Sequence, residues 1–269
     1  MVNRSFLKWA GGKRSALPNI SQHMKMSGDI WVEPFIGGGT MAINVDYDRR
    51  IVSDINSDLV NLMRWVVKSP RAMIAHCLPL FDGSYNNQDA FKRLRAKYNA
   101  SKNPQERAML FMYLNRHCYN GLMRYNKSGG YNTTFGQYKS PSLPIDDIMF
   151  FSKKMKGTRF VNAGFESLRF ARHYNMTVYC DPPYLPISKT ASFAAYSQEG
   201  FLREQHISLD KKARYWADKC ESVWVSNNEV PLLQECYPNA ANTIKFMVPR
   251  TISRNIENRK PVGEVLLQY

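Results

Sequence analysis

Apolar positions come first in short unbroken runs, then at helical spacing, then in short runs again, and these changes of period divide the chain. Ile30-Trp31-Val32-Glu33-Pro34-Phe35-Ile36 has the length and β-branched content of a buried strand and runs into Gly37-Gly38-Gly39-Thr40. Behind the glycines, Met41 to Val45 reads as a short helix and Arg50-Ile51-Val52-Ser53-Asp54 as a second strand. From about residue 57 the period lengthens: Leu59, Leu62, Met63, Val66 and Val67 fall on one helical face behind a capping Asn or Ser, and Pro70 ends the run. Helical faces recur over Asp89 to Tyr98 and Pro104 to His117, with Pro104 suited to a first turn. Residues 119 to 144 lose every periodicity and read as a loop-rich surface. Strand runs resume at Arg159-Phe160-Val161, Thr177 to Cys180 and Ser222 to Ser226, and two late extended runs cover Ile244 to Val248 and Val265 to Tyr269.

Strands alternating with helices imply an α/β fold with a mostly parallel sheet covered on both faces, the late runs forming an antiparallel hairpin. The helical block then reads as an insertion, giving a discontinuous domain of residues 1–56 and 145–269 around residues 57–144. At 269 residues and 44% hydrophobic, the chain can bury a sizeable core. Charge adds more: 37 Lys and Arg against 22 Asp and Glu leave +15, which points to a polyanion partner. No apolar stretch approaches the length of a membrane span and the first residues lack a signal-peptide core, so a cytosolic protein is expected. The five cysteines are scattered through apolar runs as reduced, buried thiols would be, and neither they nor the five histidines show metal-ligand spacing; no metal is expected.

The densest chemistry lies at Asp181-Pro182-Pro183-Tyr184, directly after an apolar strand. Proline removes a donor and holds the preceding residue extended, so the Asp181 carboxylate and Pro182 carbonyl face outward as acceptors without competing donors. Tyr184 offers a ring face. Acceptors beside an aromatic face suit a flat ring bearing an amino group. Gly37 to Gly39, between a strand and a short helix, lets a nucleotide-like ligand approach the backbone, and Asp54 follows at the distance where an acid meets ribose hydroxyls. A structural tight turn is the bland reading of the glycines. Gly11-Gly12-Lys13 fails as a phosphate loop, since Leu7 stands where glycine is required and Arg14 follows the lysine; ATP is not expected. From Tyr113 to Lys127, arginines, asparagines and tyrosines interleave as in nucleic-acid readers, against the alternative of a solvated loop. His117 reads as a surface residue beside a packed Cys118, Cys180 as core, and Asp146 and Asp147 as a helix start.

Phe6 to Lys13, Glu33 to Gly39, Asp54 to Asp58 and Asp181 to Tyr184 occur in the order of the Dam-type DNA adenine-N6 methyltransferases, and the stretch from Leu114 to Asn126 resembles that family's DNA-reading segment. The resemblance covers essentially the whole chain. It implies a Rossmann-like S-adenosylmethionine-dependent methyltransferase sheet with a C-terminal β-hairpin and an inserted helical target-recognition domain. It implies transfer of a methyl group from S-adenosylmethionine, leaving S-adenosylhomocysteine, to N6 of a flipped adenine in double-stranded GATC by a monomer. Asp181, Pro182 and Tyr184 would be catalytic; Trp9, Lys13, Glu33, Phe35, Gly37, Gly39, Asp54 and Asp181 would line the cofactor site. Tyr119 would wedge into the base stack, Lys8, Asn120, Leu122 and Arg124 would read sequence, and Arg116, Asn126 and Tyr138 would complete the DNA contacts.

The chain departs from the family at Thr134, often Pro, and Gln137, often Arg, which removes a phosphate contact. Three other readings share parts of this pattern: an RNA adenine methyltransferase, a protein glutamine methyltransferase and a non-catalytic DNA-binding regulator. The long helical insert favours duplex DNA over RNA. Asp181 rather than Asn, with the +15 charge, disfavours a protein substrate, and the intact cradle and glycine turn disfavour an inactive regulator.

Overall fold

The computed structural model describes residues 2–186, 201–249 and 261–269. Its centre is one seven-stranded sheet made of β1 (Ser27–Glu33), β2 (Asp46–Asp54), β3 (Arg159–Asn162), β4 (Met176–Cys180), β5 (Ser222–Asn228), β6 (Asn242–Val248) and β7 (Val262–Gln268), in the order β3-β2-β1-β4-β5-β7-β6. The first five in that order are parallel; β7 runs antiparallel to both β5 and β6, forming the expected closing hairpin. Val32 pairs with Ile51 on one side and Val178 on the other, so β1 and β4 lie side by side and end together. Pro34, with no N–H to give, ends β1.

Alternation along the strands separates two apolar layers. Trp31, Tyr179 and Trp224 face the layer that also includes the apolar residues of the N-terminal segment and the helical insertion, while Val32, Val178, Cys180, Val223 and Val225 face the opposite layer. Helices α1 (Leu17–Ile20), α2 (Ser57–Lys68), α3 (Pro70–Cys77), α4 (Gln88–Ala100), α5 (Pro104–His117) and α6 (Ile145–Lys154) contribute to the first layer, and α7 (Arg203–Ala217) and α8 (Leu233–Cys236) to the second. Asn56 caps α2 by accepting the N–H groups of Asp58 and Leu59 at 3.1 Å, and Pro70 both follows that helix and opens α3. The apolar cluster continues from the sheet through Trp9 to Phe111 and Tyr113 of α5 without a break.

Two expectations are corrected. Met41 to Val45 forms turns rather than a helix: Gly39 takes φ +76°, and the carbonyls of Ala42 and Val45 accept from the buried Arg50 guanidinium, while the Thr40 carbonyl accepts from Asn44 Nδ2. Those acceptors are then occupied by side chains and not by helical N–H groups. His117 is not a surface residue; it is buried against Phe81 and Tyr113, with Nδ1 bonded to the Tyr113 carbonyl, and burial holds its pKa down at about 4.

Candidate active site

Because β4 is buried along its length, the chain emerges at Asp181 at the carboxyl ends of the parallel strands, and the following turn is tied down by β5. Asn227 Oδ1 accepts the Leu185 N–H at 2.9 Å and Asn228 Nδ2 donates to the Leu185 carbonyl at 2.7 Å. Contrary to expectation, Asp181 is not free of competing donors. Lys13 Nζ lies 2.8 Å from Asp181 Oδ2, also donates to the Gly11 carbonyl at 2.8 Å, and stands 4.7 Å from the centroid of the Tyr184 ring. Its side chain is only 6% exposed against 19% for Asp181, so the pair is poorly screened by water. Burial pushes the Asp181 pKa up, while the Lys13 charge, the Lys13 hydrogen bond and Tyr184 pull it down. Lys13 is thus what favours an ionised carboxylate in a dry site. Tyr184 is anchored from the hairpin, its hydroxyl donating to Glu264 Oε2 at 3.1 Å.

The glycine turn lies at the neighbouring strand end. Gly37, at φ +48°, donates its N–H to Asp54 Oδ2 at 3.1 Å, and the Asn56 N–H reaches Asp54 Oδ1 at 2.9 Å. Burial raises the Asp54 pKa, and these backbone donors oppose the shift. Trp9 lies over the turn: a β-carbon at Gly37 would stand 2.9 Å from its Nε1, which explains the requirement for glycine there. Phe35 packs against Phe165 and Phe201 on the other layer, and Glu33 lies in the interior at 2% exposure, accepting from Trp31 Nε1 at 2.9 Å. Ile55, beside Asp54, is 76% exposed. The sequence reading missed Ile55, Glu264, Asn227 and Asn228; only Ile55 carried a local signal, an apolar residue just past a strand-ending acid.

The predicted DNA-contacting residues divide by environment. Buried Asn115 joins the N-terminal segment to the loop after α5, accepting the Lys8 N–H at 3.0 Å and donating to the carbonyls of Lys8 at 2.7 Å and Gly121 at 3.2 Å. Lys8 Nζ then lies 3.7 Å over the Tyr138 ring, and the Tyr138 hydroxyl accepts the N–H of exposed Asn120 at 2.9 Å. Lys8, Asn120 and Tyr138 are therefore brought together. Tyr119 and Leu122 are half-buried, and Arg124 is exposed with Nε 3.0 Å from Asn132 Oδ1. Arg116 is half-buried and donates to the Ser142 carbonyl at 3.2 Å, with its pKa lowered by burial and by nearby Arg4. Asn126 Oδ1 accepts from Ser128 and Gly130, so it shapes its own turn.

A polar network connects this loop to the segment after β2 that follows Asp54. Arg107 grips Asp58 with two bonds of 2.7 Å, Tyr98 donates to Asp58 Oδ2 at 2.7 Å, and the hydroxyls of Tyr98 and Tyr125 lie 3.0 Å apart. Asp58 stands in the first turn of α2, just past Asp54, and Tyr125 follows Arg124.

A parallel sheet closed by an antiparallel hairpin, with a glycine turn after β1 and an acid after β4, defines a Rossmann-like methyltransferase fold. The profile of the D12 class N6 adenine-specific DNA methyltransferases matches residues 9–252, and the chain belongs to that family. It is similar to the DNA adenine methylase of Serratia marcescens, 41% identical over 99% of this chain and 98% of the relative. It is also similar to the DNA adenine methylases of Escherichia coli (strain K12), 38% identical over 99% and 95% of the two chains, and Vibrio cholerae, 36% identical over 99% and 96%. Among the described residues no helix is long and apolar enough to cross a membrane, and no cluster of metal-ligating side chains occurs.

Proposed function

We propose that this chain transfers the methyl group of S-adenosylmethionine to N6 of an adenine turned out of duplex DNA at GATC, releasing S-adenosylhomocysteine. The observation that carries the reading is the Asp181 carboxylate, held by Lys13 beside the Tyr184 ring and next to the glycine turn. The residues present fit the cofactor: Gly37 and Gly39 keep side chains off the turn, Asp54 is fixed by backbone donors with lone pairs to spare, and exposed Ile55 offers a flat ring an apolar face. Trp9 and Phe35 border the same strand end. The cofactor supplies an electrophilic methyl on a sulfonium.

The protein's part is to make a poor nucleophile attack. The adenine N6 lone pair is delocalised into the ring, and acceptors that take both N–H bonds favour a pyramidal nitrogen with its lone pair directed at the methyl. Asp181 and the Pro182 carbonyl are those acceptors, Lys13 sharing the carboxylate with the incoming amine. Tyr184, with its hydroxyl fixed by Glu264, stacks on the base. Residues 57–144 form the target-recognition part and residues 1–56 and 145–269 the catalytic part. Lys8, Asn120, Leu122 and Arg124 read base edges, Tyr119 fills the vacated stack, and Arg116, Asn126 and Tyr138 support the backbone path, in a cytosolic monomer.

The test is to treat plasmid DNA from a methylation-deficient host with purified protein and S-adenosylmethionine and to map every modified adenine. Modification at GATC is expected. Methyl groups on adenines of another sequence would overturn the target assignment alone, and none on adenine would overturn the function.

A further inference from the structure

Glu33, at the end of β1 and next to the end of β4 that leads into Asp181, is a third ionisable group at this strand end, and the reaction described above does not use it. It is 2% exposed. Its oxygens meet neutral donors, Trp31 Nε1 at 2.9 Å and the Ala42 backbone N–H. Trp31 is itself held by stacking on Tyr179, whose hydroxyl lies 2.7 Å from Ser226 Oγ, so this donor is fixed. Among the described residues, the ionisable groups that act on Glu33 are Lys13 from the N-terminal segment and Asp181 from the turn after β4; Tyr179 and Cys180 of β4 also feel it, and burial pushes both well up, keeping them neutral.

One ammonium therefore serves two carboxyls, Glu33 buried and Asp181 largely so. Lys13 is committed to Asp181 at 2.8 Å, and a second carboxylate would leave a net negative charge out of water, which is costly. The proton belongs on Glu33; burial raises its pKa from the ordinary 4.5 to about 8. A cation arriving in this site reverses the balance. An opposite charge within about 4–6 Å lowers a carboxyl by about 1 to 3 pKa units, enough to carry such a group through neutrality.

We propose that Glu33 is the proton-exchanging group of the site, protonated in the free protein and ionised when the sulfonium of the cofactor enters beside Lys13 and Asp181. The inference rests on the cofactor assigned above. The proton passes from the Glu33 carboxyl to solvent and no bond of the cofactor changes. The thioether product carries no sulfonium charge, so Glu33 keeps its proton when that product is bound. Affinity for S-adenosylmethionine then rises with pH up to about 8, by at most about tenfold per pH unit, while affinity for S-adenosylhomocysteine gains nothing from Glu33.

Calorimetric titration of the full chain at pH 7, in buffers of different ionisation heat, counts the protons. Each ligand's own amino group contributes alike to the wild type and Glu33→Gln, so the difference between the two proteins isolates Glu33. The expected difference is roughly half to one proton released with S-adenosylmethionine and about none with S-adenosylhomocysteine. Equal counts in the two proteins, or equal differences with the two ligands, would overturn the inference while leaving the cofactor assignment intact; absence of binding by either ligand to the wild type would remove both. A readout that needs no variant is the infrared difference spectrum of the wild type with carbon-13-labelled glutamate. Loss of a protonated-carboxyl band on adding S-adenosylmethionine but not S-adenosylhomocysteine supports the proposal, and a band unchanged by both contradicts it.

Discussion

Lys13 shows how far single residues can be read in isolation. By residue pattern it belongs to a failed phosphate loop, and only the family resemblance sets it beside Asp181 in a cofactor site; in the fold its ammonium lies against Asp181, far along the chain. The outward acid was legible because prolines follow a buried strand, whereas its cation, and the Glu264 anchor of Tyr184, come from segments that only tertiary packing brings near. Asp181→Ala should lower turnover by about a hundredfold or more, the effect of losing one preorganised acceptor of about 3 kcal/mol, while DNA binding changes much less. Turnover and equilibrium binding measured on one preparation check this. The pH dependence has a definite sign. As the proposed acceptor Asp181 acts ionised; burial raises its pKa and Lys13 lowers it, so activity should fall as pH drops through that pKa, and Lys13→Met should move the acid limb to higher pH. A rate profile whose acid limb stays in place would deny the ion pair this role.

At the scale of elements, the parallel strands were legible as short apolar runs between turn residues, and α5 from its proline start and apolar face. The stretch after the glycine turn was misread because its composition is helical, while the acceptors a helix needs are occupied by Arg50 and Asn44. Helix α7 went unnamed in the sequence because charged residues crowd its thin apolar face of Leu209, Ala213 and Trp216. The loop after α5 gave no periodicity, since its shape is set by Asn115 and by the Arg107–Asp58–Tyr98–Tyr125 network. Asp58→Ala would leave Arg107 with backbone carbonyls but no counter-ion in a partly buried site, and a loss of about 2 to 3 kcal/mol is expected in denaturant unfolding. Within the same loop, exposed Arg124 has the fork for a guanine edge. Arg124→Ala should cost about 1 to 3 kcal/mol of discrimination at one base pair, whereas Arg116→Ala should weaken all sequences about equally; rates on GATC and singly altered sites separate the two.

At the scale of the whole molecule, two charge properties make predictions. The +15 net charge implies release of counterions from DNA, so the logarithm of affinity should fall steeply with the logarithm of salt concentration, and a flat salt series would make it a solvated surface. Glu33 binds a proton in the folded chain between pH 4.5 and about 8 that the unfolded chain gives up, so its contribution to stability is present below that window and lost through it. Chemical denaturation across pH 5 to about 9 should show a fall in the wild type that is smaller in Glu33→Gln. Both properties concern the setting of the proposed chemical act, attack by an adenine amine held at Asp181. The most direct measurement of that act is nucleoside analysis of unmethylated duplex DNA after incubation with labelled S-adenosylmethionine and either wild-type protein or Asp181→Ala. Label in N6-methyldeoxyadenosine, abundant with the wild type and nearly absent with the variant, is the predicted result; label in a cytosine derivative, or equal label from both proteins, would contradict it.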